Sequence, residues 1–299
     1  MSILIVGSVA LDSIKTPVAE NLRLLGGSAS YGAVAASFFS PVKMVGVVGE
    51  DFPKKFINFY KKHNIDIEGL QIQKGKTFHW VGEYEINMNN RRTISTELGV
   101  FENFNPILPP SYKDSSYVVL ANISPSLQHN VLDQIKKPKF VAADTMDLWL
   151  NIALEELLRL LKRIDLFVLN DSEAKLLTKE DNIIKAIKGI HKLGPKYVIV
   201  KKGEHGSILS SNNGLFIAPA YPLERVIDPT GAGDSFLGAL MGYLASKNGN
   251  PINHIRKAII YGSVVASFCC EGFGLSKLIK INRQLIDERF DRLKKMCLF

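Results

Sequence analysis

The strongest constraint on the fold comes from one stretch, residues 226–236, which has the sequence VIDPTGAGDSF. An apolar pair leads into a carboxylate, a turn of small residues and a second carboxylate, and an apolar run over residues 236–244 follows. Gly231 and Gly233 lack a Cβ, so the backbone can turn sharply there and approach a ligand closely. The stretch therefore predicts a tight loop that leads into the N-terminus of a helix.

This loop carries the residue types that phosphoryl transfer to an alcohol requires. The amides of Gly231, Ala232 and Gly233 can converge at the helix N-terminus, where such an array binds anionic oxygen. Asp234 would lie in the first helical turn beside that anion, where a carboxylate can take a proton from an incoming hydroxyl. The same residues also suit a plain tight connection, with Asp234 favoured only by the helix dipole. The residues alone leave both interpretations open.

The nonamer at residues 228–236 resembles the signature of the ribokinase-like (PfkB) family of carbohydrate and nucleoside kinases. The resemblance implies an ATP-dependent phosphotransferase that phosphorylates a hydroxymethyl group of a sugar or nucleoside, with ATP and Mg²⁺ as cofactors. It makes Asp234 the catalytic base and the amides of Gly231, Ala232 and Gly233 the anion hole.

The same resemblance implies two further roles for this loop. Thr230, Gly231 and Gly233 would contact ATP, and Asp228 with Thr230 would hold a monovalent cation, K⁺, in potassium-dependent members. The other half of that cation site would come from backbone carbonyls of Ser267, Cys270, Gly272 and Ser276. The alternative function is a non-catalytic sugar- or nucleotide-binding sensor that retains the kinase fold. The intact Gly-Ala-Gly-Asp run disfavours the sensor, because a binding protein has no need of the base.

Outside the signature, the chain alternates short apolar runs with helical patterns. Residues 2–6 and 42–48 are β-branched, apolar strands, and residues 29–39 and 52–63 are helical, which gives the order βαβα. This order predicts an α/β fold with a doubly wound, mostly parallel sheet flanked by helices. The rhythm resumes downstream, and one ribokinase-like domain over residues 1–299 is the economical expectation. Further helices are expected at residues 126–136, 148–163, 173–177, 182–193 and 251–270, and a hairpin at residues 206–218.

One stretch interrupts this rhythm and predicts a small β lid. Residues 77–87 alternate apolar and polar side chains with a period of two, which is typical of a half-buried strand. Asn89-Asn90 can supply a turn and residues 92–97 the return strand. Residues 9–25 suggest loop or short irregular strand, and we expect the lid to comprise about residues 12–25 and 76–98. A hairpin that only covers the core is the alternative, and the lid edge could also pair across a homodimer.

The acceptor half of the site is expected at the end of the first strand. The segment at residues 7–12 resembles the first segment of the family, in which an aspartate holds sugar hydroxyls, so Asp12 is the expected substrate clamp. Gly26-Gly27 resembles the diglycine of the family, a joint between lid and main domain whose backbone contacts the sugar. Asn122 follows the strand at residues 117–121 and should face the same cleft.

The acceptor half also departs from ribokinase, which puts ribose in doubt as the substrate. Ala10, Ser28 and Tyr31 stand where ribokinases carry polar sugar contacts. With Tyr31, Phe78 and Trp80 in these segments, a bulkier or partly apolar acceptor such as a nucleoside becomes a serious possibility, and the choice between sugar and nucleoside stays open. We therefore assign Asp12, Gly26, Gly27, Tyr31, Trp80 and Asn122 to substrate binding.

The donor half is expected on two later strand ends. Asn170-Asp171-Ser172-Glu173 resembles the Asn-x-x-Glu motif of the family, so Asn170 is an expected ATP contact and Glu173 an expected water-mediated Mg²⁺ ligand. The same four residues also form a helix-capping pattern, and both roles can hold together. Lys201, Gly203 and Gly206 resemble the nucleotide-contacting strand end of the family. The chain has no Gly-x4-Gly-Lys-[Ser/Thr] run, which argues against a P-loop kinase.

Bulk properties exclude several other classes of protein. The net charge is +8, from 37 Lys and Arg against 29 Asp and Glu, but the basic residues are scattered, so nucleic-acid binding is not expected. Three cysteines without metal-ligand spacing suggest a reducing, cytoplasmic setting, and no targeting or membrane-spanning segment is visible. The first strand lacks Gly-x-Gly-x-x-Gly, which argues against an NAD-linked dehydrogenase.

Overall fold

The computed structural model of the chain describes residues 1–88 and 90–298. A nine-stranded sheet forms the main body, and a separate four-stranded sheet, which we call the lid, contains the two segments in which a lid was expected. The strands are β1 Ile3–Val6, β2 Ala10–Lys15, β3 Glu20–Gly26, β4 Val42–Gly49, β5 Ile65–Gln73, β6 His79–Tyr84, β7 Arg91–Glu97, β8 Tyr117–Leu120, β9 Phe140–Asp144, β10 Leu166–Asn170, β11 Tyr197–Lys201, β12 Ser207–Ser211 and β13 Gly214–Ala218. The helices are α1 Ser28–Ser37, α2 Lys54–Lys62, α3 Pro125–Gln134, α4 Asp147–Ile152, α5 Leu154–Leu161, α6 Asp171–Thr178, α7 Ile183–Leu193, α8 Ala232–Ala245, α9 Ile255–Cys270 and α10 Arg283–Met296.

The main sheet confirms the expected doubly wound, mostly parallel architecture. Its strand order is β13-β12-β11-β10-β9-β8-β1-β4-β5, and every pairing is parallel except β11 with β12 and β12 with β13. All four residues of β1, Ile-Leu-Ile-Val, are buried, as expected for a strand with helices on both faces. The sequence did not predict β5, because this edge strand mixes Asp66 and Glu68 with apolar residues and is half exposed.

The helix packing sets the position of the signature loop. Helix α8 lies against α1, and a Cβ on Gly238 would come within 2.2 Å of the Gly32 carbonyl oxygen, so glycine allows the two backbones to touch. Both helices therefore begin at the same end of the sheet. The helix expected over residues 148–163 is wrong as a single element, because the non-helical backbone of Ala153 divides it into α4 and α5. No helix within residues 1–88 and 90–298 is long and apolar enough to cross a membrane.

The lid is a separate sheet with strand order β3-β2-β6-β7. Strands β2 and β6 pair in parallel, and each forms an antiparallel pair with its outer neighbour. The expectation of loop or irregular strand at residues 9–25 was wrong, since two strands form there. Buried polar side chains at Asp12, Ser13 and Thr16 hide the strand pattern. Of the expected turn Asn89-Asn90, Asn89 lies outside the described residues.

Candidate active site

The signature loop ends in a tight turn, residues 229–233, that leads into α8 and that we call the cradle. Gly231 precedes the helix with φ 76° and ψ 2°, a left-handed conformation that favours glycine. A Cβ on Gly231 would lie 2.3 Å from ring carbons of Tyr31, so the aromatic ring packs directly on the loop backbone. Ala232 and Gly233 then start the helix with their amides at its N-terminus. The Ala232 amide donates to the Pro229 carbonyl at 3.1 Å, and the role of the three amides as an anion hole remains a prediction.

Asp228 holds the backbone of the loop through hydrogen bonds to its carboxylate. Its side chain is fully buried, and its two carboxylate oxygens accept hydrogen bonds from the amides of Thr230 and Gly274, each at 2.9 Å. The carbonyl of Cys270 accepts from the Ile227 amide at 2.8 Å. Burial raises the pKa of Asp228, and the hydrogen bonds from Gly274 and Thr230 oppose that shift. A buried carboxylate held by amides suits the cation role, since a nearby cation would offset its charge.

Asp234 lies in the first turn of α8, as expected, in an environment that suits a general base. Burial raises its pKa to about 6, the negative charge of Asp144 adds to the increase, and the positive charges of Lys201 and Arg91 oppose it. A carboxyl group with a pKa near the working pH combines proton affinity with a populated ionised form.

Lys201, at the end of β11, brings a positive charge to the same turn. Its Nζ lies 3.2 Å from Oδ2 of Asp144, and 3.0 Å from the point where a Cβ on Gly233 would stand. Burial alone would lower the pKa of Lys201, but Asp144, Glu173 and Asp234 together raise it. The amine therefore remains charged beside the anion-binding amides.

Asn170 and Glu173 form a reciprocal cap at the start of α6. The Glu173 amide donates to Asn170 Oδ1 at 2.7 Å, and the Asn170 amide donates to Glu173 Oε2 at 2.7 Å. Burial raises the pKa of Glu173 to about 7; Lys201 opposes this and Asp144 adds to it. No cluster of three or more His, Cys, Asp or Glu groups among the described residues could hold a metal ion. One carboxylate fits Mg²⁺ that arrives with phosphate ligands and keeps its waters.

Asp12 lies on β2 against the diglycine. A Cβ on Gly26 would overlap the Asp12 carboxylate, with 1.9 Å to Oδ2, and one on Gly27, where φ is 88°, would lie 2.5 Å from the Ser8 carbonyl. Both glycines are therefore required for the close approach of lid and main body. Burial raises the pKa of Asp12 to about 7, the Gly27 amide opposes this, and the charges of Asp228 and Asp234 increase it. The buried carboxylate of Asp12 on the lid therefore lies within the electrostatic influence of the half-buried Asp234.

A lid residue, Tyr84 on β6, reaches the signature loop. The Thr230 hydroxyl donates to the Tyr84 oxygen at 3.1 Å. Burial raises the pKa of Tyr84 to about 12, so the phenol stays neutral. The lid is therefore fastened over the cradle.

The other expected substrate residues occupy different surroundings. Tyr31 is buried with its ring on Gly231, and its hydroxyl has no hydrogen-bond partner among the described residues. Trp80 pairs with Asp12 across the lid sheet, so both lie on one face of it. Asn122 accepts from Trp149 Nε1 at 2.8 Å and donates to the sulfur of Met146. Their substrate roles remain predictions.

The two expected nucleotide-contacting glycines also differ from each other. Gly203 is exposed at the end of β11 with φ 55°, a placement open to a ligand. Gly206 is buried with φ 80°, and a Cβ there would lie 2.1 Å from the Ala218 carbonyl. Gly206 therefore closes the turn into β12, and its contact with ATP remains a prediction.

Sequence reasoning missed two lid residues at this site, Tyr84 and Arg91. Tyr84 follows Trp80 at an even spacing, so the period-two pattern could have placed both on the cleft face. Arg91 carried no such signal, because its position depends on pairing with Tyr84 across β6 and β7.

Comparisons with known proteins show the family and the fold. The model of the pfkB family carbohydrate kinase matches residues 14–281. A cytidine kinase of Thermococcus kodakarensis is 29% identical over 84% of this chain and 91% of its own length. A nucleoside kinase of Methanocaldococcus jannaschii is 25% identical over 97% and 96%. The solved structure of Burkholderia thailandensis nucleoside kinase in complex with inosine has a TM-score of 0.80 at 21% identity, covering 97% of both chains, and so shares the fold.

Proposed function

The chain belongs to the pfkB family of carbohydrate kinases, and from that premise we propose that it transfers the γ-phosphoryl group of ATP to a hydroxymethyl group of a nucleoside. The observation that carries the proposal is the placement of Asp234 in the first turn of α8, directly after the left-handed Gly231, with the buried Asp12 of the lid within its electrostatic influence. One carboxylate can hold the acceptor while the other takes its proton.

Each of these side chains and amides has one role in the proposed reaction. Asp12 accepts hydrogen bonds from acceptor hydroxyls and aims one of them at Asp234, which removes its proton as the new O–P bond forms. The bond between the γ-phosphorus and its bridging oxygen breaks, and ADP leaves with the electron pair. Charge on the transferring group is stabilised by the amides of residues 231–233 and by Lys201. Mg²⁺, when bound with ATP through water on Glu173, would neutralise phosphate charge.

The acceptor side favours a nucleoside over free ribose. The Ser28 hydroxyl, at a position where ribokinases bind sugar, lies 3.1 Å from the Ser8 amide, which donates to it, and itself donates to the Asn122 carbonyl at 3.2 Å. These two hydrogen bonds satisfy the Ser28 hydroxyl within the protein, so it is not free to bind a sugar. The half-buried ring of Trp80, on the same lid face as Asp12, offers apolar surface to a base. Two relatives that match most of the chain are named cytidine kinase and nucleoside kinase, which supports the same choice.

The test is ADP release with ATP and Mg²⁺ across cytidine, uridine, adenosine, inosine, ribose and fructose. We expect release that depends on a nucleoside, with cytidine as the first candidate, and little with ribose. Turnover confined to free sugars would reject the nucleoside. Ligand binding without any acceptor-dependent ADP release would instead favour the sensor.

A further inference from the structure

Arg91 opens β7 at the tip of the lid hairpin. It pairs with Tyr84 on β6, so both residues lie on the same face of the lid sheet. Its guanidinium lies 5.6 Å from the centre of the Trp80 ring. Because Tyr84 is bonded to Thr230, the closed lid carries Arg91 toward the signature loop.

Arg91 also faces the donor half of the site. A cleft of about 160 Å³ separates the lid tip from the starts of α4 and α6. Its lining residues are Arg91, Asp147, Asn170, Ser172, Glu173 and Leu176. Arg91 therefore adds a positive charge to a cleft that also contains the carboxylates of Asp147 and Glu173. A magnesium-bound polyphosphate suits such a mixture, because carboxylates can bind the metal, directly or through water, and the arginine can donate hydrogen bonds to the phosphate oxygens.

The charge of the same guanidinium also acts on Asp234, the expected base. The charged groups that act on Asp234 are Asp144, Lys201 and Arg91, and Asp12 is close enough to be affected by it in turn. Arg91 also lowers the pKa of Tyr84. The guanidinium thus lines the donor cleft and acts electrostatically on the expected base.

We propose that Arg91 contacts the γ-phosphoryl group of ATP in the closed enzyme, so that lid closure over the acceptor adds a second cation besides Lys201. This inference rests on the proposed function. Charge in the loose transition state spreads over the γ-phosphoryl oxygens, and a guanidinium can meet two of them with paired N–H donors. Before the lid closes, Lys201 alone would contact the phosphates of ATP. Arg91 would add its positive charge only when the lid closes.

The neighbouring residue offers a matched control. Arg92 lies on the same strand but faces the other side of the lid, where its Nη2 is 2.6 Å from Oε2 of Glu83. Arg91→Ala and Arg92→Ala therefore remove the same side chain from opposite faces. Arg91→Lys keeps the charge and loses the paired donors.

The experiment compares calorimetric binding of AMP-PNP and of ADP, each with Mg²⁺ and nucleoside, and then measures kcat and both KM values. We expect Arg91→Ala to weaken the binding of AMP-PNP by about 10- to 100-fold, the usual effect of losing a charged hydrogen bond. The affinity for ADP should stay nearly unchanged. The kcat should fall about 10²-fold or more, with Arg91→Lys intermediate. Arg92→Ala should match the wild type in every measurement.

Three outcomes would overturn the role of Arg91. Equal weakening of AMP-PNP and ADP would indicate general packing against Trp80, and a rise confined to the nucleoside KM would make Arg91 an acceptor contact. Unchanged binding and kcat would remove the role altogether. If the wild type releases no acceptor-dependent ADP, the proposed function fails, while the AMP-PNP and ADP comparison still decides the contact.

Discussion

The hydroxyl of Thr230 donates to the oxygen of Tyr84 at 3.1 Å and joins the lid to the loop for which we propose the role of anion hole. Thr230 neighbours Gly231, whose left-handed backbone starts the cradle, and Tyr84 stands opposite Arg91 on the lid. One neutral hydrogen bond therefore links the position of the acceptor cover to that of the phosphoryl-transfer loop.

Tyr84→Phe should loosen the lid without disturbing the chemistry. Losing a neutral hydrogen bond costs about 1 kcal/mol, so closure should weaken about 5-fold and the acceptor KM should rise by a similar factor. Steady-state kinetics measure this, and hydrogen exchange in β6 and β7 should increase. Tyr60→Phe is the control, because that phenol bonds Ser30 in the core at 2.8 Å. Equal KM values in both variants would contradict a role of the Thr230–Tyr84 hydrogen bond in lid closure.

Asp234→Asn tests the base against the plain helix-dipole interpretation. Removing a positioned base should lower kcat by about 10²-fold or more, while thermal stability and ATP binding stay near wild type. Glu155→Gln is the control, since Glu155 is an exposed acidic residue in the first turn of α5. If both variants kept near-full turnover, Asp234 would be an ordinary first-turn residue.

The sequence predicted the elements whose chemistry is local. Buried strands such as β1 are continuous apolar runs, and the Gly-Ala-Gly turn needs glycine for its backbone, so both are visible in short windows. Strand β5 was missed because an edge strand alternates charged and apolar residues. Strand β2 was missed as a regular strand because Asp12 and Ser13 are buried polar groups and a bulge follows.

Much of the site depends on contacts between distant positions. Asp12 meets the signature aspartates only because the lid folds over the sheet, and the expectation for it came from a family resemblance. The ion pair of Asp144 with Lys201 joins the ends of β9 and β11, which periodicity cannot pair. The packing of the Tyr31 ring on Gly231 joins positions 200 residues apart, and no local pattern could predict it.

The activity should fall with acid well above the range of an ordinary aspartate. The pKa values of Asp234 and Asp12 are raised to about 6 and about 7, so both carboxylates protonate as pH falls through that window. The kcat/KM should therefore decline below about pH 7. Lys201→Met removes a charge that lowers the pKa of Asp234, so its acid limb should move to higher pH.

Lys196→Met is the control for that shift, because Lys196 is exposed and pairs only loosely with Asp165 at 3.8 Å. Its pH profile should overlay the wild-type profile. An acid limb near pH 4 in the wild type would show that neither carboxyl group is perturbed in the working enzyme.

K⁺ should stimulate turnover. Asp228 is fully buried and receives two amide hydrogen bonds, so a cation held there would offset its charge and steady the anion hole. Replacing KCl by choline chloride at equal ionic strength should lower kcat about 5-fold or more, the lower end of usual site coupling. Asp228→Asn should reduce the response to K⁺. Equal rates in both salts would reject the cation site.

Gly231→Ala should damage both stability and catalysis, because two costs coincide at that position. The left-handed φ of 76° penalises a side chain, and the new Cβ would lie 2.3 Å from the Tyr31 ring. Gly249→Ala separates the two costs, since Gly249 has φ 86° but open space around its Cβ position. Thermal melts should show a loss of about 1 kcal/mol for Gly249→Ala with kcat retained. Gly231→Ala should lose more stability and most turnover; equal melts and rates would mean that the ring contact is not required.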